Sequence, residues 1–514
     1  MVLLSDYCII LYISGVQTGT YWYHAHMGTQ ISMGIHGAFI IRQRYKSNNS
    51  MNLYGDIPGE ETEHVLMLEE YNHLWDSYRD RINMFNGVFH DGKRQKILES
   101  IDGTTYSPQF FHSLLINGKG RYYDTLRQEM SQSPLSRFPV HRGSQTRFRV
   151  INSGTQIPLL IGIDGHKLDI VSLDGEDVRK ITVDYVIISP GERVDFYIKT
   201  NGNDVSKREC YWIRGRPMIS DVTNPPIAEA ILQYEGVAEC TVQETEVEER
   251  KCTGQNPCTV LNCPFAQFQM HMNLTCIPVD TLQAATEFQN FKTAPTVNQE
   301  YFLNFMTRTR HFPTFTVNGY AFKMPTVSAV STQPRDWPTD CSVANCSRDE
   351  VCQCFHTIST NLNDTVQLVL VNIGNITRPI HPVHLHGHHF QIIKRVAGIT
   401  HHVTGQLLRA TDDIVCAGSD VQRHACSRPQ WRHRAWHHGN VPGLNLNGPW
   451  KDTVVVPTGG YVIVRYRADN PGLWLVHCHT SAHHVTGMAV VVKEAMQEVP
   501  APPHGFPTCK GFDN

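Results

Sequence analysis

Three short segments of the chain carry histidines at spacings that suit a bound metal ion. In the first segment, His24 and His26 flank Ala25, so in an extended strand both imidazoles point to the same face. A pair of this kind is weak evidence alone, because His-x-His also occurs in cores and on surfaces. Its interpretation depends on the two richer segments.

The second segment, residues 381–389, is the densest in histidine. His384 and His386 share one face of a strand, and Pro382 fixes the backbone between His381 and His384. A chance run of this density is improbable, so the segment predicts metal ligation.

The third segment adds a thiol to the imidazoles. On an extended backbone, Cys478 points to one side while His477 and His479 point to the other, and His483 and Met488 follow shortly. Histidine, cysteine and a weakly bound methionine are the ligands of a blue-copper centre. The sequence therefore predicts two metal sites joined by a short stretch of backbone, in preference to a buried cysteine in a histidine-rich strand.

The elements that position these residues are predicted to be strands. Residues 37–42, 146–151, 184–188 and 460–467 are short apolar runs rich in β-branched residues, and turn residues separate such runs. No long helical period stands out. An all-β fold of sandwich or Greek-key barrel domains is therefore expected.

Composition narrows the class of protein further. The chain has 514 residues and a net charge of −3, which suggests roughly three domains of about 150 residues and argues against a nucleic-acid binder. The sequence also lacks the run of about 18 apolar residues that a transmembrane helix needs.

Cysteine usage and glycosylation motifs predict secretion. If Cys478 is a metal thiolate, the other 14 of the 15 cysteines can form up to seven disulfides. Cys352-Gln353-Cys354 could bind a metal, but a disulfide is the stronger interpretation. A signal peptide is not evident, because residues 1–16 lack a basic start and contain Asp6. The N-x-[ST] motifs begin at Asn48, Asn273, Asn345, Asn363 and Asn375.

The three histidine segments resemble the blue multicopper oxidases, the family of laccases, ascorbate oxidase and ferroxidases. The second, third and fourth of that family's four copper motifs are present in order. Residues 113–121, 189–194 and 451–456 also look like animal laccases. The resemblance runs from about Gly19 to Cys509.

The resemblance assigns each motif histidine to a copper ion. It implies type 1 copper at His381, Cys478 and His483 with Met488 as axial ligand, and type 2 copper at His384. It places the type 3 pair at His24, His26, His386, His477 and His479. Catalysis would then depend on Cys478, His477, His479 and His483, which carry electrons between the sites.

The family fold is three cupredoxin-like barrels, and the resemblance implies two near-complete barrels here plus the last strands of a first one. The expected divisions are residues 1–55 (first-domain remnant), 56–240 (second domain), 241–290 (cysteine-rich linker), 291–498 (third domain) and 499–514 (tail). The family's H-W-H-G motif is absent, so the chain is expected to be truncated at its N-terminus. It offers six cluster imidazoles where the family uses eight.

Several residues beside the motifs are expected to play lesser roles. His36, a conceivable substitute ligand, is expected to be a packed or surface residue. His388, His389 and His484 adjoin ligands and are expected to support them or face solvent. Ser481 stands where many fungal and plant relatives carry an acid that helps deliver protons. The His- and Arg-rich residues 416–447 are expected to form a surface loop.

The resemblance implies a laccase-like function, in which phenols, diphenols or aromatic amines lose single electrons and O2 is reduced to water. Two alternatives stay open. A ferroxidase would need carboxylates near the type 1 histidines, for which Asp412 and Asp413 are available. A non-catalytic extracellular copper protein would keep a type 1 site, and its colour, without consuming O2.

Overall fold

The computed structural model confirms the all-β class. It describes residues 17–42, 62–73, 99–106, 111–124, 127–200, 210–220, 225–236, 240, 252–285, 296–309, 313–325, 329, 337–344, 351–374, 379–417 and 426–501. Within these ranges only one α-helix forms, α1 (Ser481–Val485), together with short 3-10 turns at Gln30–Met33, Met270–Met272, Val279–Thr281, Arg434–Trp436 and Met496–Glu498.

The strands of the N-terminal half are β1 (Gly19–His24), β2 (His36–Ile41), β3 (Thr62–Tyr71), β4 (Ser113–Ile116), β5 (Tyr123–Asp124), β6 (Glu129–Met130), β7 (Ser136–Val140), β8 (Gln145–Asn152), β9 (Leu159–Ile163), β10 (Leu168–Leu173), β11 (Glu176–Val183), β12 (Tyr185–Ile188), β13 (Arg193–Lys199), β14 (Cys210–Pro217), β15 (Ala228–Tyr234), β16 (Cys258–Leu261) and β17 (Leu274–Ile277).

The strands of the C-terminal half are β18 (Gln299–Thr309), β19 (Pro313–Val317), β20 (Tyr320–Phe322), β21 (Cys352–Cys354), β22 (Thr357–Thr360), β23 (Thr365–Val371), β24 (His381–Leu385), β25 (Phe390–Val396), β26 (Ile399–Thr400), β27 (Leu407–Arg409), β28 (Ile414–Cys416), β29 (Pro429–Trp431), β30 (Trp450–Lys451), β31 (Thr453–Val456), β32 (Tyr461–Arg467), β33 (Gly472–Cys478) and β34 (Ala489–Glu494).

Two sheets form a sandwich in the middle of the chain. One has the strand order β11-β10-β13-β8-β3-β4 and the other β17-β16-β12-β9-β14-β15-β7. Buried side chains of both sheets, such as Phe148 and Ile213, belong to one hydrophobic cluster, which is the usual way that two sheets hold together.

Part of the predicted cysteine-rich linker belongs to this sandwich. Strands β16 and β17 lie inside residues 241–290, and β16 pairs in parallel with β12. Cys258–Leu261 and Leu274–Ile277 are rich in apolar and β-branched residues, which favour strands. The proposed domain divisions themselves stay predictions.

A second sandwich carries the second and third histidine segments. Its larger sheet has the order β21-β20-β19-β18-β23-β32-β25-β30, and its smaller sheet β22-β34-β33-β24-β31. In the smaller sheet β24 is antiparallel to β33, with Val383 opposite Cys478 and His384 opposite His477. This register brings the second and third segments side by side.

The first histidine segment lies on a separate hairpin, β1–β2. Its strands pair from Gly19 opposite Ile41 to His24 opposite His36. The buried Thr20 hydroxyl donates to Asp195 Oδ1 at 2.7 Å and accepts from Arg149 Nη1 at 2.9 Å. These bonds fix β1 to the middle sandwich, because a buried polar group is costly without its partners.

A buried ionic network joins the two sandwiches. The Arg193 guanidinium of β13 donates to both carboxylate oxygens of Asp452, at 2.6 and 2.5 Å. Lys451 Nζ lies 3.0 Å from Asp174 Oδ2 and 3.3 Å from Glu192 Oε1. Since both partners of each pair are nearly inaccessible to water, these contacts fix the position of one sandwich against the other.

Five disulfides form among the described residues, and Cys354 is in one of them, as expected. Cys478 is a free, buried thiol. Cys8, Cys346 and Cys509 lie outside the described residues, as do the motifs at Asn48, Asn345 and Asn375. The pairs are Cys210–Cys240, Cys252–Cys258, Cys263–Cys276, Cys341–Cys354 and Cys416–Cys426.

Candidate metal centres

One thiol and two imidazoles converge between β24, β33 and α1. Cys478 Sγ lies 3.6 Å from His381 Nδ1 and 3.3 Å from His483 Nδ1, and the two nitrogens are 3.2 Å apart. All three side chains are fully or almost fully buried. The geometry presents one sulfur and two nitrogens to a common point, as a single soft metal ion requires.

Burial keeps the two imidazoles neutral. It lowers the pKa of His381 to about 3 and the pKa of His483 well below its usual value, because a buried cation lacks hydration. Burial also raises the pKa of the Cys478 thiol to about 12. A metal ion bound here would have to displace that proton, as coordinating metals do.

Met488 and Phe315 enclose this site. Met488 is fully buried; its backbone N–H donates to His483 O at 3.0 Å, and its carbonyl accepts from Cys478 N at 3.1 Å. The Phe315 ring stacks on His483 with centroids 3.9 Å apart. The predicted axial residue is therefore bonded to the backbone of two predicted ligands.

A second group of imidazoles lies on the other side of β33. The metal-binding atoms of His26, His386 and His477 all lie within 4.8 Å of one another, and His386 Nε2 is 3.2 Å from His477 Nε2. His26 comes from the β1–β2 hairpin, whereas the other two belong to the second sandwich. The fold thus assembles this group from segments 360 residues apart in the chain.

The other three predicted cluster histidines adjoin this group. The ring centroid of His24 lies 4.9 Å from that of His26 and 5.0 Å from that of His479. The ring centroid of His384 lies 4.8 Å from that of His386 and 6.1 Å from that of His479. All six imidazoles therefore form one continuous cluster.

Backbone carbonyls orient three of the cluster imidazoles. Nδ1 of His24 lies 3.1 Å from Ala25 O, Nδ1 of His384 lies 2.9 Å from Asp452 O, and Nδ1 of His477 lies 2.9 Å from Cys478 O. When Nδ1–H donates to a carbonyl, Nε2 carries the lone pair. Such bonds fix both the tautomer and the direction of a metal-binding imidazole.

Copper fits these residues. His26 Nε2 and His479 Nδ1 are buried without a hydrogen-bond partner, and burial lowers the pKa of both rings far below the usual range. Unpaired neutral imidazole nitrogens and a buried thiol are the donors that copper prefers. A bound ion would satisfy polar atoms that are otherwise costly to bury.

Some histidines beside the motifs face elsewhere. His388 Nε2 lies 2.8 Å from Glu494 Oε2, and His389 Nε2 lies 3.1 Å from the carbonyl of Asp174. His36 lies opposite His24 in the hairpin register and is half-buried. His484 is different, because its ring lies within the cluster.

The sequence did not reveal the residues that contact the cluster histidines and fix their positions. Asp452 connects Arg193 to His384, and Gly191 packs against the His479 ring, where an added Cβ would lie 2.6 Å from Cδ2. In the sequence, Gly191 is only one residue of the laccase-like segment 189–194. Its φ of +86° and its contact with His479 arise from tertiary structure.

Family comparison covers most of the chain. Models described as multicopper oxidase match residues 11–46, 86–237 and 320–498. The chain belongs to the multicopper oxidase family. As a multicopper oxidase it is a copper enzyme, and the family's coppers are of types 1, 2 and 3.

The relatives of this multicopper oxidase include named laccases. Laccase-25 of Oryza sativa subsp. japonica is 26% identical over 534 residues, covering 96% of this chain and 79% of its own length. Laccase-1 of Pleurotus ostreatus is 24% identical over 494 residues, covering 95% of this chain and 71% of its own length.

Solved multicopper oxidases share the fold. The crystal structure of Fet3p, a multicopper oxidase that functions in iron import, has a TM-score of 0.60 at 19% identity, covering 93% of this chain and 72% of its own. The laccase from Botrytis aclada has a TM-score of 0.60 at 18% identity, with 95% and 72% covered. The cupredoxin-like architecture is thereby confirmed.

Proposed function

We propose that this multicopper oxidase is a laccase-like enzyme, which removes single electrons from phenols, diphenols or aromatic amines and reduces O2 to water. The observation that carries the proposal is the position of Cys478. Its thiol enters one group of donors while the flanking His477 and His479 enter the other, so one backbone segment links both groups. The relatives named as laccases support the same activity.

The proposed ligand roles follow the two groups. His381, Cys478 and His483, with Met488 beside them, would hold type 1 copper, the electron acceptor for the organic substrate. His384 would hold type 2 copper. Bound copper supplies the one-electron redox chemistry and the site for O2. The type 3 pair would be held by His24, His26, His386, His477 and His479.

The protein's own residues keep these donors ready. Burial lowers the pKa of four of these imidazoles, so their lone pairs are available at neutral pH; they are His26, His381, His479 and His483. The carbonyls of Ala25, Asp452 and Cys478 orient three rings. Because these hydrogen bonds already fix the directions of the three rings, little rearrangement of the protein would be needed when copper binds or changes its charge.

A pocket beside His381 favours an uncharged organic substrate. Among the described residues, no acidic or Lys/Arg side chain lines it. The buried Thr307 hydroxyl has no hydrogen-bond partner and can pair with a phenol. The lining residues are Met306, Thr307, Asn372, Ile373, Gly374, Pro379, His381, Ala410, Thr458 and Gly459.

The ferroxidase alternative is less well supported. Iron(II) needs hard oxygen ligands such as carboxylates. Asp412 is paired with Arg409 at 2.5 Å, and Asp413 accepts a hydrogen bond from the Tyr461 hydroxyl at 2.8 Å. Neither of them lines the pocket beside His381.

An extracellular location is part of the proposal. Five disulfides among the described residues are typical of chains that fold in an oxidising compartment. Asn363, one of the N-x-[ST] asparagines, is exposed. Among the described residues, no helix has both the length and the hydropathy of a membrane span.

The test is oxygen consumption by the copper-loaded full chain. With a diphenol we expect a blue protein that consumes one O2 for every four electrons removed, and with Fe(II) much slower consumption. Cys478→Ser should abolish both the blue colour and the diphenol activity. Faster turnover of Fe(II) would favour the ferroxidase. A blue protein without O2 consumption would favour the non-catalytic alternative.

A further inference from the structure

Two of the N-x-[ST] motifs lie in described parts of the chain and allow a direct comparison. Both have the pattern Asn-x-Thr, at Asn273 and at Asn363. Both asparagines also have a left-handed backbone, with φ of +52° and +66°, which asparagine tolerates better than most residues. The two motifs are therefore alike in pattern and backbone conformation, and they differ in what surrounds each side chain.

Asn363 lies exposed in the turn between β22 and β23. Its backbone N–H donates to Ala468 O at 2.6 Å, which fixes the turn beside the end of β32. Its side-chain Oδ1 accepts from Nε and Nη2 of Arg467, at 3.1 and 2.6 Å. Among the described residues, none accepts a hydrogen bond from its Nδ2. The side-chain amide is thus held by its oxygen, while its nitrogen stays available.

Asn273 is held by the opposite end of its amide. Its Nδ2 donates to Cys252 O at 3.2 Å, and its backbone carbonyl accepts from Cys258 N at 3.0 Å. A disulfide joins Cys252 to Cys258, so the loop that contacts Asn273 is closed by a covalent bond. Asn273 is also only half-exposed. A sugar on this nitrogen would have to enter the contact between Asn273 and Cys252.

The amide nitrogen matters because it is the atom that N-glycosylation modifies. The donor is an oligosaccharide joined through its C1 to a lipid diphosphate. The lone pair of Nδ2 forms a bond to C1, the lipid diphosphate leaves with the electron pair of its own bond, and Nδ2 gives up one proton. Oδ1 remains a carbonyl acceptor, so both hydrogen bonds from Arg467 to Asn363 can persist in the modified protein.

We propose that Asn363 is an attachment site for an N-linked oligosaccharide, whose amide link Arg467 orients, and that Asn273 stays unmodified. This inference rests on the extracellular location in the proposed function, because the lipid-linked donor serves chains that enter the secretory pathway. It does not depend on the copper sites.

The experiment measures the occupied fraction of each motif separately. The full chain is secreted from a eukaryotic host behind a cleavable leader, and an amidase that releases N-glycans converts each modified asparagine to aspartate. Peptide mass spectrometry then reads both positions. We expect Asn363 to be modified in most copies and Asn273 in few. Secreted protein without a glycan on Asn363, or with equal or higher occupancy at Asn273, would overturn the proposal.

Matched substitutions separate the acceptor nitrogen from folding. Asn363→Asp removes Nδ2 but keeps an oxygen for Arg467 and suits the left-handed backbone, so the secreted protein should lose the mass of one glycan. Asn273→Asp should leave the glycan mass unchanged, and Thr365→Ser, which keeps the motif, should keep the glycan. An unchanged mass in Asn363→Asp would contradict the assignment.

The same preparation distinguishes this inference from the proposed enzyme function. Its O2 consumption is measured with a diphenol after copper loading. A protein that is modified on Asn363 and consumes no O2 would confirm the attachment site and count against the oxidase. An active oxidase with an unmodified Asn363 would overturn only the attachment site.

Discussion

At the scale of single residues, the candidate site depends on the orientation of each imidazole ring. The His-x-His and His-Cys-His spacings predicted which side chains lie together, because a strand period of two fixes which side chains share a face. The direction of His484 could not be predicted, since it depends on where α1 begins. Gly191 and Asp452 were also hidden, because their contacts with His479 and His384 join distant parts of the chain.

Gly191→Ala tests how closely the His479 ring is confined. The new Cβ would lie 2.6 Å from His479 Cδ2, so the ring must move. We expect loss of copper from the imidazole cluster while the blue colour is kept, measured as copper per chain and visible absorption. Gly236→Ala is a matched control, because Gly236 has the same φ of +86° and no atom within 4 Å of the added Cβ. Equal copper loss in both variants would contradict the prediction.

At the scale of elements, the β1–β2 hairpin differs from the rest of the site because it forms a two-stranded sheet of its own. Strand alternation predicted that His24 and His26 share a face. The residues that hold the hairpin could not be predicted, because Thr20 and Asp195 are 175 positions apart. Strand β33 is the opposite case, since its sequence alone indicated that it serves two groups of donors.

Thr20→Val should loosen the hairpin without harming the thiolate site. The substitution keeps the shape of the side chain but leaves Asp195 with one fewer donor, at a cost of about 1–3 kcal/mol. Copper retention by the imidazole cluster should fall, and the blue absorption should remain. Thr182→Val, which removes a Thr–Asp bond at Asp169 far from the hairpin in sequence, is the control. Loss of blue colour together with cluster copper would argue for global unfolding instead.

At the scale of the whole molecule, Arg193 and Asp452 hold the two sandwiches together. Arg193→Met would leave the buried Asp452 carboxylate without its bidentate partner, and breaking a buried pair in this way costs about 3–5 kcal/mol. We expect a markedly lower Tm by calorimetry. In Arg42→Met, an exposed ion pair with Glu63 is lost, and Tm should barely change. Similar Tm losses in the two variants would contradict this view of the interface.

The metal-free protein should lose stability as pH falls below neutral. Burial lowers the pKa of His356 to about 4, whereas the unfolded chain binds its proton near pH 6.5. Between these values the unfolded state holds more protons, so stability decreases with falling pH by about 1.4 kcal/mol per pH unit for each such group. Thermal unfolding from pH 7.5 to 4.5 measures this slope. His356→Gln should make the slope shallower, and an unchanged slope would contradict the assignment.

The free thiol of Cys478 has a consequence for how the protein is made. The chain has 15 cysteines, and in the oxidising compartment proposed above this one must stay reduced. Only complete burial protects it once the sheet has closed. Until then, thiol–disulfide exchange with a nearby disulfide can bind the Cys478 sulfur in a non-native disulfide. The biosynthetic yield therefore depends on whether the sheet closes around Cys478 faster than the Cys478 thiol is oxidised.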